Sequence, residues 1–127
     1  MTLNKLRVMK FICYPKCTTC QKARKWLDVH GVHYVIRDIK EDKPSYDELK
    51  TWLAVSGMPV RKLFNTSGLQ YKSLNLKDKL LTMSEEECLK LLSTDAMLVK
   101  RPLLVDENFI LVGFKEVEWE KAMKENN

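Results

Sequence analysis

The stretch Val8-Met9-Lys10-Phe11-Ile12-Cys13-Tyr14-Pro15-Lys16-Cys17-Thr18-Thr19-Cys20 begins as β-rich, apolar sequence and ends in two cysteines three positions apart. A strand is predicted from about Val8 to Tyr14, stopped by Pro15, which has no N–H to give to a ladder. Past the cysteines, Ala23, Trp26, Leu27 and His30 follow i, i+3, i+4, i+7 spacing, and Gly31 is placed to end that helix. Cys-x-x-Cys thus lies where a strand hands over to a helix. A helix start offers unpaired N–H groups and partial positive charge, which favour a thiolate, and Lys16 adds a cation. Cys17, nearer the helix start, is the better nucleophile. Cys20, one turn on, is placed to resolve a mixed disulfide formed at Cys17.

Downstream, His33 to Ile39 reads as a second strand rich in β-branched residues. Ser45 with Glu48 forms a capping box, and its helix carries Leu49, Trp52 and Leu53 on one face before Gly57. Pro59 opens a short helix through Phe64, Asn65 to Gly68 is a turn cluster, and Leu69 to Leu74 is another short helix. A second capping box, Ser84 with Glu87, begins a helix through Leu92. Leu103 to Val105 and Phe109 to Val112 flank Asp106-Glu107-Asn108 as a β-hairpin, and Lys115 to Glu125 closes the chain as a helix. The order β-α-β, helices, β-β-α is that of a thioredoxin-like α/β fold, a mixed four-stranded sheet flanked by helices. A helical insertion falls at about 40–100, its helices within about 44–96.

The chain of 127 residues is read as one domain, 1–127, with Met9 a candidate start that leaves 1–8 as an N-terminal extension. Apolar residues at 45% and charged residues at 31% fit a globular chain, and no apolar run approaches the ~20 residues of a membrane span. Met1 to Lys10 lacks the apolar core of a secretory signal, so a cytoplasmic protein is expected. Twenty-two basic against 17 acidic residues give +5, but the two signs interleave as on a solvated face, so direct nucleic-acid binding is not expected.

Four cysteines without a signal sequence point to redox or metal chemistry. A zinc site from Cys17, Cys20, His30 and His33 fails on distance, because Cys20 and His30 are ~15 Å apart along one helix. No metal site is predicted. Cys13, in a strand, and Cys88, beside Leu89, Leu91 and Leu92, read as buried apolar thiols. His30 and His33 read as helix-end and strand-start residues. In this fold the proline before the third strand faces the cysteine loop, so Arg101, preceding Pro102, is expected to reach Cys17, where a guanidinium holds an oxyanion or a thiolate.

Three separated segments, Tyr14 to Leu27, Arg61 to Gly68 and Lys100 to Val105, resemble the arsenate reductase (ArsC)/Spx family over nearly the whole chain from about residue 9. The resemblance implies a cis Pro102 facing the site and a helical insert covering it. It implies Cys17 as the nucleophile on arsenate or a related oxyanion or disulfide, and Arg61 and Arg101 as two of three oxyanion-binding arginines. Near Gly113-Phe114-Lys115, where the third would fall, Lys115 is the nearest cation. It implies no bound cofactor, and glutathione with glutaredoxin, or thioredoxin, as electron donor and redox partner. The pair Cys17 and Cys20 is also similar to the redox switch of Spx regulators, which implies the RNA polymerase α subunit as a partner in an alternative, non-catalytic role.

Overall fold

A computed structural model describes residues 8–126. Nearly all of the N-terminal extension expected at 1–8 therefore lies outside the described residues. The chain divides into two compact units, one formed by the segments up to Asp38 and from Arg101 onward, the other by Ile39–Lys100.

The first unit holds the sheet. β1 (Met9–Cys13) pairs in parallel with β2 (Tyr34–Asp38) and antiparallel with β3 (Leu103–Val105), which pairs antiparallel with β4 (Ile110–Val112). The order is β2-β1-β3-β4, so the apolar β1 takes an inner position with partners on both edges. Two helices belong to this unit, α1 (Thr18–Val29) and α6 (Glu116–Glu125). The fold is the mixed four-stranded, helix-flanked sheet that the order of elements predicted.

Side chains of a strand alternate faces, and Met9, Phe11 and Cys13 share one side of β1. They bury against Cys20, Ala23, Trp26 and Leu27 of α1, Leu104 of β3 and Trp119 of α6. Trp119 stands edge-on to Trp26 at 5.8 Å and to Phe114 at 5.0 Å. Its Nε1–H donates to the carbonyl of Gly113 at 3.0 Å. Gly113 has φ +75, a left-handed conformation that costs other residues roughly 1–2 kcal/mol. Its N–H donates to the Pro102 carbonyl at 2.8 Å. The turn after β4 is thereby tied both to α6 and to the proline preceding β3.

The second unit is helical. After α2 (Tyr46–Ser56) come a 3₁₀ turn at Val60–Leu63, α3 (Leu69–Ser73), α4 (Leu76–Lys79), α5 (Glu85–Leu92) and a 3₁₀ turn at Ala96–Leu98. Both expected capping boxes form: the Ser45 and Ser84 hydroxyls accept from the N–H groups of Glu48 and Glu87, whose carboxylates accept in return. α2 packs on α5, burying Leu49, Trp52 and Leu53 with Cys88, Leu89 and Leu92. An isolated bridge joins Phe64 to Val99.

Boundaries differ from the expected ones where local hydrogen bonds intervene. β1 ends at Cys13 because the Tyr14 carbonyl accepts from Cys17 N–H at 2.9 Å and turns the chain. β4 starts at Ile110 because the Phe109 carbonyl accepts from Asp106 N–H at 3.0 Å, within the hairpin turn. The expected short helix after Pro59 is 3₁₀ and ends at Leu63, since Phe64 is already extended. α4 was not foreseen, nor was the 3₁₀ turn at Ala96–Leu98, which Asp95 caps by accepting from Met97 N–H.

Candidate functional site

Cys17 is the N-cap of α1, half-buried, with extended backbone angles that leave the first N–H groups of the helix open. Its loop is fixed from both ends: the Cys17 carbonyl accepts from Gln21 N–H at 3.1 Å, and Gln21 Nε2 donates to the Pro15 carbonyl at 3.0 Å. The Cys17 sulfur closes no capping bond of full geometry. Burial raises its pKa, but the Cys20 N–H, the Cys20 thiol, the Thr19 N–H and the charge of Arg101 together outweigh burial, and Cys17 lies below the ordinary thiol value.

Cys20 is held the opposite way. Its side-chain hydrogen bonds to Cys13 and Cys17, its burial and the charge on Cys17 push its pKa far above the ordinary range, with Tyr14 N–H, donating to Cys20 Sγ at 3.4 Å, in partial opposition. The two thiols are thus pushed in opposite directions, Cys17 toward the thiolate and Cys20 toward the protonated form.

Arg101 lies with its guanidinium over the Tyr14 ring, 5.2 Å from the centroid, and its charge acts on Cys17. Pro102 is buried and its peptide bond with Arg101 is cis. Cys17, Cys20, Arg101 and Pro102 therefore belong to the same unit. Arg61 belongs to the helical unit, on the 3₁₀ turn after Pro59, where its charge lowers Cys88 against the burial that raises that thiol. Lys115 is the exposed N-cap of α6, its Nζ 4.0 Å from Glu118. His30 caps the C-terminal end of α1, stacked on Trp26 at 3.8 Å, and His33 precedes β2 and accepts from Met9 N–H through its carbonyl.

Two residues of the site were not singled out from sequence. Tyr14 supplies the ring under Arg101; its signal was an aromatic residue at the strand end, just before the cysteine loop. Cys13 touches Cys20 through its side chain, a contact that lowers Cys13 against burial and Asp38, with help from Arg24. Strand alternation carries that signal, since it puts Cys13 on the same face as Met9 and Phe11, the face that α1 covers.

The alkylation rate of Cys17 should rise with pH to a plateau, with a midpoint below the ~8.5 of a free thiol. Removing the charge in Arg101→Ala should move that midpoint upward and slow alkylation at neutral pH by about two- to fivefold, the scale of a partly exposed charge pair. Arg101→Lys should lie between. Superimposed pH profiles for the three proteins, each carrying Cys20→Ser, would remove Arg101 from the site.

The sequence model of the ArsC family matches residues 13–122. Protein YusI of Bacillus subtilis (strain 168) is 50% identical over 113 residues, covering 89% of this chain and 96% of its own. The global transcriptional regulator Spx of the same organism is 31% identical over 104 residues, covering 82% and 78%. Among solved structures, an ArsC family related protein from Bacteroides fragilis superposes with a TM-score of 0.87 at 56% identity, covering 89% of this chain and 95% of that one. A structure from Streptococcus mutans UA159, described as a possible arsenate reductase, superposes with a TM-score of 0.81 at 41% identity, covering 90% and 98%.

Proposed function

The chain belongs to the ArsC family, and from that premise we propose that it is a thiol-dependent oxidoreductase with Cys17 as nucleophile and Cys20 as resolving thiol. The observation that carries this reading is the contrast between the two thiols, one lowered at an open helix start beside a guanidinium, the other raised and buried behind it. On arsenate or a related oxyanion, the Cys17 thiolate displaces a hydroxyl oxygen from the central atom, and that oxygen takes up a proton from solvent and leaves as water. Cys20, losing its proton, then attacks Cys17 Sγ. A Cys17–Cys20 disulfide forms, and the central atom departs reduced by two electrons. A disulfide substrate follows the same course, with a thiol as leaving group. Glutathione with glutaredoxin, or thioredoxin, then returns two electrons and two protons.

Arg101 is placed to hold the anion by charge, and the family resemblance adds Arg61. The test is arsenite formation from arsenate with each donor system, in the wild type and in Arg61→Ala and Arg101→Ala. Turnover that falls by one to two decades in Arg101→Ala, the scale of a charge-assisted hydrogen bond, supports the oxyanion role. Failure to form arsenite with either donor excludes arsenate as substrate.

The similarity to the Spx regulator favours a second reading, a redox-sensing regulator that binds the RNA polymerase α subunit without turnover. Retention of the isolated C-terminal domain of polymerase α on the immobilised chain, changing between reduced and oxidised protein, would establish it. A chain that turns over substrate and retains no polymerase α supports the first reading.

A further inference from the structure

Three of the four cysteines share one core cluster, and Cys20 stands between the other two. Cys13 ends β1 on the face covered by α1, and Cys20 lies in the first turn of that helix; they are 5% and 2% exposed. The Cys20 thiol is hydrogen-bonded to the side chains of both Cys13 and Cys17. The Tyr14 N–H, at 3.4 Å, fixes Cys20 Sγ over the end of β1. A sulfur held against two other thiols has two partners for a disulfide.

We propose that Cys13 is a third redox thiol, which attacks Cys20 Sγ once Cys17 and Cys20 are joined, so that the disulfide moves inward to Cys13–Cys20 and Cys17 is released. The proposal rests on the reading above in one respect, that a Cys17–Cys20 disulfide forms. In the exchange the Cys17–Cys20 bond breaks and the Cys13–Cys20 bond forms. Cys13 gives up its proton to solvent, Cys17 leaves as thiolate with the electron pair of the broken bond, and the protein is neither oxidised nor reduced overall. The direction follows from where the departing anion is left. Cys17 leaves half-exposed at the open helix start beside Arg101, where water and the N–H groups solvate a thiolate, whereas the reverse step would expel a thiolate at Cys13, which is 5% exposed. The product stores two oxidising equivalents in the core while its surface nucleophile is again free. A reductant meets Cys17 first and reaches the buried disulfide only by the reverse exchange.

The sequence allows a direct assay. Trypsin cleavage after Lys10, Lys16 and Lys22 puts Cys13 in the peptide Phe11–Lys16 and both Cys17 and Cys20 in Cys17–Lys22. A Cys17–Cys20 disulfide is a loop within one peptide, whereas Cys13–Cys20 joins two. The reduced protein is treated with one equivalent of diamide, which takes up two electrons and two protons as it becomes the hydrazine. It is then exposed in its native state to iodoacetamide, digested and analysed by mass spectrometry. The expected result is an early loop peptide that decays as the joined pair grows, with a single carbamidomethyl label on Cys17. In Cys13→Ala the loop should persist and Cys17 should take no label. Wild-type protein that keeps the loop and leaves Cys17 unlabelled overturns the proposal, without recourse to any variant. Absence of the loop peptide at every time in both proteins overturns the resolving role of Cys20, and the exchange with it.

Discussion

In the native protein, Cys17→Ser abolishes the fast phase of thiol alkylation, lowering the initial rate by about a thousandfold or more. The reason is the uneven exposure of the four thiols. Cys13, Cys20 and Cys88 are 5%, 2% and 1% exposed, and only Cys17 is half-buried at an open helix end. The buried thiols react only when the structure opens around them, a rate limited by local unfolding. A serine hydroxyl in place of Cys17 is not ionised at neutral pH and does not attack iodoacetamide. Turnover by the proposed route falls to background in the same variant, because the bond to substrate has no sulfur to form on. The check is a stopped time course with peptide mapping at pH 7. A second fast-reacting cysteine in the wild type, or a fast phase surviving in Cys17→Ser, would show that another thiol is the nucleophile.

Trp119→Ala destabilises the protein by about 3–5 kcal/mol, a fall in Tm of roughly 10–25 °C for a chain of this size. Trp119 is fully buried, stands edge-on to both Trp26 and Phe114, and donates its indole N–H to Gly113. Deleting it leaves a cavity between α1, α6 and the turn after β4, and also removes the donor that holds that turn. Trp119→Phe separates the two effects. It keeps most of the packing but leaves the buried Gly113 carbonyl without its indole partner, which costs about 1–3 kcal/mol. Denaturant unfolding followed by far-UV circular dichroism measures both. A loss below about 1 kcal/mol in Trp119→Ala would mean that the cluster repacks, and that the aromatic contacts contribute little.

Much of the architecture is legible in the sequence because its signals are local. A strand broken by Pro15, a helix with apolar residues at i, i+3, i+4 and i+7, and a serine followed three positions later by glutamate each act through groups within one or two turns of chain. These signals locate β1, α1, α2 and α5, and the order of elements then limits the topology. α4 escaped because four residues make a single turn, too short for any period to show, and because it begins at Asn75 in a left-handed conformation. Short polar side chains such as Asn tolerate that conformation without marking where it will occur.

The sequence by itself determined where the pair lies, Cys17 at a helix start and Cys20 one turn on, and suggested the order proposed for them as nucleophile and resolving thiol. All of that follows from three-residue spacing and the polarity of a helix end. Only the tertiary structure decided what surrounds them. Arg101 was expected near Cys17 from the order of elements, but that its guanidinium rests on the Tyr14 ring was not, and pairing of β3 with β1 sets that contact. Cys13 read as one more apolar residue of a strand until α1 was laid across its face, and that packing joins its thiol to Cys20. The physical reason is the range of the forces involved. Propensity, capping and spacing act between neighbours along the chain, whereas thiol contacts and the field of a distant arginine depend on which surfaces the hydrophobic effect brings together.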